Sequence, residues 1–159
     1  RLRGAEGYDA LSADTDATVA HLANRYGGEA RTVLALAEAD PTLREPLVAG
    51  LPYLRAEAVY AARHEMATTL DDVLVRRTRA HLFDRSATLA VAADVAELLA
   101  AELGWDADET ERQLTHYRAL CHAEEAAARA SVARDMVARD SVAPHTAGAD
   151  DDQLANATD

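Results

Sequence analysis

The chain has 159 residues, of which 49% are hydrophobic, and this is enough for one domain with a buried core. It carries 28 acidic and 16 basic residues, for a formal net charge of −12, and we exclude bulk nucleic-acid binding because this field repels phosphate. The single Cys excludes an intrachain disulfide framework, and no apolar run is long enough to cross a bilayer.

Two features of the composition bear on the origin of the chain. Every basic residue is Arg and none is Lys, which leaves two explanations open: a genome of high GC content and adaptation to high salt. The N-terminal sequence RLRGAEGYDA has neither a starting Met nor an apolar signal core. We therefore expect residues 1–12 to be a linker that follows a missing upstream region.

Helical patterns dominate the first half of the chain. The first predicted helix covers residues 15–25, with Asp14 or Ser12 as its cap and a Gly pair after it. A second covers residues 29–39 and ends at Asp40, because the residue before a proline avoids the helical region. The apolar residues predicted to face the core are Val19, Leu22, Ala30, Val33, Leu34 and Ala37.

A turn-rich connector with three Pro residues is expected over residues 41–52. The next predicted helix covers residues 53–67 and places Glu57 outside its apolar stripe. A break at two Thr residues separates it from a helix over 70–83, for which Thr69 is the predicted cap. The residues of the buried stripe are Leu54, Ala58, Ala61, Ala62 and Met66, and those on other faces are Glu57, Arg63 and His64.

The second half of the chain predicts two further helices. One covers residues 87–103, with Ser86 as its cap and a Gly after it, and the other covers 107–140 behind a cap at Asp106. We expect an all-α fold, a compact bundle of about five to six helices over residues 13–140 with a long C-terminal helix. The Pro- and Asp-containing segment 141–159 is expected to be a disordered acidic tail.

Common catalytic and cofactor motifs are absent from the sequence. It contains no GxGxxG, no Walker A loop and no GxSxG. The segment HEMAT at residues 64–68 lacks the second His of a zinc-hydrolase motif. We expect the lone Cys121 to be a small buried residue.

The most informative local feature is an excess of Arg in residues 54–85. This segment has six Arg and five acidic residues, whereas the remainder has ten Arg and 23 acidic residues. One interpretation is a solvated helix surface with i,i+4 ion pairs such as Asp72 with Arg76. The other is a docking surface, on which Arg76 or Arg77 binds a carboxylate or a phosphate.

Several segments then carry a family resemblance. The string AEAVYAARHEMATTLDDVLVRRTR is the most specific, and RYG at residues 25–27 and LGW at 103–105 add to it. Over about residues 15–125 the chain resembles the C-terminal helical domain of FAD-dependent glycerol-3-phosphate dehydrogenases and the related α-glycerophosphate oxidases. The resemblance implies an intact enzyme that oxidises sn-glycerol 3-phosphate to dihydroxyacetone phosphate and passes electrons through FAD to a quinone, or to oxygen in the oxidases.

The resemblance places the chemistry outside this chain. It implies that FAD and the substrate bind an upstream domain of the same chain, so we assign no catalytic, cofactor-binding or metal-binding residue here. The motif supplies six candidates for structural or domain-docking roles. They are Arg63, Glu65, Asp71, Asp72, Arg76 and Arg77.

Partners and location follow from the same resemblance. It implies a cytoplasmic protein and leaves open both a homodimer and a peripheral position at the inner face of the cell membrane. Any membrane association is expected only through the full-length enzyme, because the net charge of −12 disfavours contact between this chain and anionic lipid. The alternative to a domain of the enzyme is a free-standing helical adaptor that binds a protein partner through Arg76, Arg77 and Arg79.

Overall fold

A computed structural model describes residues 4–141, and these residues are mainly helical. Their β pairing is one isolated bridge between Pro46 and Leu54, so the predicted all-α class is confirmed. The predicted tail at 141–159 lies outside the described residues, apart from Ser141 at the end of the last helix. The helices are α1 (Tyr8–Ser12), α2 (Ala17–Tyr26), α3 (Ala30–Ala39), α4 (Arg55–His64), α5 (Ala80–Phe83), α6 (Arg85–Ala90), α7 (Ala92–Leu103) and α8 (Ala107–Ser141).

The chain divides after His122 into two compact units. The first unit, described over residues 4–122, contains the buried core. The second is described over residues 123–141, where the chain continues α8 and its described side chains are exposed except for the half-buried Glu124. None of the described helices combines the length and apolar character that crossing a bilayer requires.

The core of the first unit consists of two apolar clusters. One joins α2, α3 and α4 and includes the fully buried Leu22 and Val33. The other joins α4, α7 and the first part of α8, and it includes Leu99 and Tyr117. The predicted burial of Leu22 and Val33 is confirmed, whereas Leu34, predicted to face the core with them, is half-buried. The predicted burial of Cys121 is also confirmed.

Two predicted helix caps are wrong. Helix α2 is capped by Asp16, whose carboxylate accepts a hydrogen bond from the Thr18 N–H at 2.8 Å. Ser12 instead ends the additional helix α1, within the segment assigned to a linker. Likewise Asp84, and not Ser86, caps α6 by accepting from the Ala87 N–H at 2.8 Å. The helix ends predicted at Asp40 and Gly104 and the helix cap predicted at Asp106 are confirmed.

Three predicted helices are shorter or more divided than their patterns indicate. Met66 lies beyond the end of α4 with a left-handed φ of 57° and is 84% exposed, so it does not belong to the core stripe. The helix expected over 70–83 contains a π turn at Asp72–Arg77 and breaks before α5. The helix expected over 87–103 is divided at Val91 into α6 and α7.

The side chain of Thr78 explains where the π turn ends. The Thr78 N–H donates to the Val73 carbonyl, five residues earlier, at 2.9 Å. The Thr78 hydroxyl donates to the same carbonyl at 2.8 Å. Because that carbonyl is satisfied twice by Thr78, regular winding stops there, and Arg79 follows with a left-handed φ of 58°.

Candidate docking surface

Glu57 in α4 is completely buried, which corrects the expectation that it lies outside the buried stripe. Its Oε1 accepts a hydrogen bond from the Leu54 N–H at 2.9 Å and lies 3.2 Å from His21 Nε2. Its Oε2 accepts from the Tyr26 hydroxyl at 2.9 Å and lies 3.1 Å from Arg25 Nε. We call Glu57 with His21, Arg25 and Tyr26 the Glu57 network.

The network surrounds a buried carboxyl group with four polar contacts. Burying an unpaired carboxylate costs several kcal/mol, so its four contacts are a condition for its presence in the core. Burial, followed by the charge of Glu57, raises the pKa of Tyr26 well above its ordinary value of about 10. The available sequence signal was the position of Glu57 three residues after Leu54, where a carboxylate can accept the first N–H of a helix.

Arg25 extends the network to the end of the π turn. Its Nη2 donates a hydrogen bond to the backbone carbonyl of Arg77. The Arg77 side chain in turn donates from Nη2 to the Glu65 carbonyl at 2.7 Å, and its Nε lies 3.7 Å from Glu65 Oε2. Arg77 and Glu65 therefore hold the π turn against the end of α4 through contacts inside this chain.

Two other docking candidates also make contacts within the first unit. Arg63 forms a two-point ion pair with Glu102 of α7, at 2.5 and 2.7 Å. Asp71 is buried except for a small fraction and lies 3.1 Å from Nε2 of the exposed His116. Both contacts join segments that are distant in sequence, so these side chains stabilise the packing of the first unit.

Asp72 stabilises the start of the helical segment that contains the π turn. Its Oδ2 accepts from the N–H groups of Thr68 and Thr69 at 3.0 and 3.1 Å, and its own N–H donates to Thr69 Oγ1, which confirms Thr69 as a cap. Its Oδ1 accepts from Arg76 Nη1 at 2.7 Å, the expected i,i+4 pair. Desolvation opposes ionisation, but these hydrogen bonds outweigh it and lower the pKa of Asp72.

An open cleft of about 440 Å³ lies beside the π turn. Four arginines and one acidic residue contribute to its lining, in a chain whose net charge is −12. We call it the arginine cleft. Its lining residues are Arg25, Tyr26, Tyr53, Glu65, Arg76, Arg77, Thr78, Arg79 and Phe83.

Arg79 and Phe83 are exposed residues of this cleft, and the sequence alone did not indicate that they line the same cleft. Arg79 is exposed, and its side chain makes no hydrogen bond or ion pair with any residue that the structure describes. Phe83 is 68% exposed, and its ring centroid lies 6.4 Å from that of the buried Tyr53. A cation and an aromatic ring at one edge of a cleft are typical of protein contact sites.

The described residues do not fit a flavin site. A dinucleotide fold places a Gly-rich turn between a strand and a helix, and neither that turn in the sequence nor a strand in residues 4–141 is present. Within the same range no three His, Cys, Asp or Glu side chains lie together as metal ligands.

Comparison with known proteins decides the family. The family model described as the C-terminal domain of alpha-glycerophosphate oxidase matches residues 1–110. The chain belongs to this family. Among curated relatives of this C-terminal domain, glycerol-3-phosphate dehydrogenase 2 of Mycobacterium tuberculosis is 38% identical over 133 residues, which cover 77% of this chain and 23% of the relative.

Relatives from other organisms are also similar to the chain. The mitochondrial glycerol-3-phosphate dehydrogenase SDP6 of Arabidopsis thaliana is 35% identical over 98 residues, which cover 62% of this chain and 15% of that protein. A glycerol-3-phosphate dehydrogenase of Synechocystis is 31% identical over 100 residues, with 63% and 18% covered. The chain thus spans less than a quarter of the length of these relatives. No solved structure matches it significantly.

Proposed function

We propose that this chain is the C-terminal helical cap and docking domain of an FAD-dependent glycerol-3-phosphate dehydrogenase. The catalytic portion of that enzyme would oxidise sn-glycerol 3-phosphate to dihydroxyacetone phosphate and pass electrons through FAD to a quinone. The observation that carries this proposal is the family match over residues 1–110, together with relatives that bear the dehydrogenase name and extend well beyond the matched segment.

The role of the domain in that enzyme is to bind and stiffen the catalytic portion. Support comes from the arginine cleft, which presents cationic and aromatic side chains, and from the lack of fit between the described residues and a flavin. FAD supplies hydride acceptance where it binds, in the upstream portion. The surplus of negative charge on this chain argues that any membrane contact of the complete enzyme is made elsewhere.

The six motif residues divide between two roles under this proposal. Of the motif residues that line the cleft, Arg76 has the most exposed side chain, and we assign it a docking role. The other five hold the helices of the domain in place through the contacts described above. They are Arg63, Glu65, Asp71, Asp72 and Arg77.

Turnover of the complete enzyme and of a truncated form tests the proposal. The enzyme encoded by the complete reading frame would be compared with a form that ends before residue 1 of this chain. We expect the truncated form to lose thermal stability and turnover of glycerol 3-phosphate, and co-expression of this chain to restore both. A truncated form that is fully stable and active without this chain would refute the capping role.

A matched control separates docking from solubility effects. A chain in which Glu57→Ala has disrupted the buried network would be co-expressed in place of the wild-type chain, since it retains the cleft residues but has a less stable fold around them. We expect it to restore less turnover than the wild-type chain. Equal restoration would indicate that the folded domain is not what the catalytic portion requires.

A further inference from the structure

Of the four arginines that line the arginine cleft, one lacks a carboxylate partner within this chain's described residues. Three of its four arginines lie within 3.7 Å of a carboxylate of the same chain. The fourth, Arg79, has no such partner among the described residues. The three neutralised pairs are Arg25–Glu57, Arg76–Asp72 and Arg77–Glu65.

The backbone at Arg79 adds a second observation. Its φ of 58° is in the left-handed region, which disfavours residues with a Cβ atom and favours glycine. The residue directly follows the π turn and Thr78, and both π turns and left-handed non-glycine residues occur preferentially at functional sites. Among the four arginines of the cleft, Arg79 is the one with a left-handed φ.

We propose that the arginine cleft is the docking point for a carboxylate-bearing segment of the catalytic portion of the same enzyme. Arg79 donates to that carboxylate, and Phe83 packs against an apolar side chain beside it. This inference rests on the proposed function, because the catalytic portion supplies the partner surface.

The properties of the cleft favour a protein carboxylate over a free phosphate. One unmatched charge suits a carboxylate with a single negative charge, whereas phosphate carries up to two, and the planar guanidinium can bind a carboxylate through two parallel hydrogen bonds. The exposed ring of Phe83 would stay uncovered beside a small anion. An acidic segment with an apolar neighbour satisfies both features, and it complements the local charge.

Arginine-specific modification measures the occupancy of the cleft directly. The chain contains no Lys, so phenylglyoxal modifies its arginines with little competition from amines, and mass spectrometry identifies each modified arginine. We expect Arg79 to be modified about tenfold more slowly in the complete enzyme than in the separate 159-residue chain. Arg134, exposed on α8, serves as the internal reference and should react at the same rate in both.

A pair of variants distinguishes docking from backbone strain. Arg79→Gly removes the guanidinium and relieves the left-handed strain, whereas Met66→Gly relieves a similar φ of 57° at an exposed residue outside the cleft lining. In the separate chain both variants should unfold at or above the wild-type temperature. In the complete enzyme only Arg79→Gly should lower the unfolding temperature of the domain and weaken its attachment.

The possible results separate this inference from the proposed function. Protection of Arg79 in the complete enzyme, with loss of attachment in Arg79→Gly alone, supports the docking point. Equal modification of Arg79 in both forms, or identical behaviour of the two variants, overturns it while leaving the capping role intact. Protection of Arg79 in the separate chain by inorganic phosphate, to the same degree, would also overturn it. A truncated enzyme that needs no C-terminal domain would refute the proposed function instead.

Discussion

The Glu57 network and the arginine cleft share Arg25 and Tyr26 but use charge in opposite ways. In the network every charged group has a partner, and its carboxylate is excluded from solvent. In the cleft the Arg79 guanidinium is exposed and has no partner among the described residues. The difference indicates that matched buried charges determine the fold of the domain, whereas a surplus charge at the surface is available for another polypeptide.

The strongest test of this contrast removes the buried carboxylate. Glu57→Ala should lower the free energy of unfolding by about 3–5 kcal/mol, because it leaves Arg25 without its buried partner. Urea denaturation of the 159-residue chain measures the change. Glu97→Ala, at an exposed position of α7, is the control and should change stability by less than about 0.5 kcal/mol. Similar midpoints for the two variants would mean that Glu57 is not a structural centre.

A smaller effect is expected when the network loses one hydroxyl. Tyr26→Phe removes the donor to Glu57 Oε2 and should cost about 1–3 kcal/mol. Tyr8→Phe, at an exposed tyrosine with a 3.3 Å hydrogen bond to Asn24, should cost much less. The measurement is urea denaturation at neutral pH, and equal costs would contradict the importance of burial.

The same tyrosine predicts a pH dependence. Because the folded-state pKa of Tyr26 is raised, its contribution to stability is fully present below the unfolded value of about 10 and is lost as the pH rises above it. The free energy of unfolding should therefore fall more steeply between neutral and strongly alkaline pH in the wild-type chain than in Tyr26→Phe. Parallel curves for the two proteins would show that Tyr26 is not the group responsible.

A still smaller effect is expected at Asp72, which pairs with the cleft residue Arg76. The lowered pKa of Asp72 means that its contribution to stability is present above the unfolded value of 3.8 and is lost as the pH falls through the folded value. Asp72→Asn should reduce stability by less than about 1 kcal/mol at neutral pH, since the pair with Arg76 is partly exposed. Thermal unfolding from neutral to acid pH should show a flatter profile for this variant than for the wild type; an unchanged profile would contradict the assignment.

The smallest effect is expected at Arg79 itself. In the separate chain Arg79→Gly should leave stability unchanged or raise it by up to about 1 kcal/mol, because a left-handed backbone costs a residue with a Cβ atom about that much. Thermal unfolding beside Met66→Gly provides the comparison. A clear loss of stability in Arg79→Gly alone would show that this side chain supports the fold and is not free for docking.

The sequence predicted the helical class and most of the core because these depend on local periodicity. Val33, Leu99 and Tyr117 are buried where helical spacing places them, and the helix end at Asp40 and the caps at Thr69 and Asp106 follow from local chemistry. The long helix was predicted over 107–140 and is described over Ala107–Ser141. Local signals of this kind need no knowledge of the partner helices.

The errors arise where distant parts of the chain decide the outcome. Glu57 is buried only because α2 supplies His21, Arg25 and Tyr26 as partners. The sequence around Glu57 does not predict these contacts. The break at Arg79 depends on Thr78 competing for a carbonyl, which a helical periodicity does not detect. Consequently the family motif identified the segment that contains the docking candidates, but not which of its side chains remain exposed.

Calorimetry of the complete enzyme is the most direct test of the claim that this chain is a docked domain. The unfolding of residues 1–159 would be followed in the complete enzyme and in the separate chain under the same conditions. We predict that the domain unfolds at a higher temperature in the complete enzyme, together with the catalytic portion. An independent transition at the temperature of the separate chain would contradict the account.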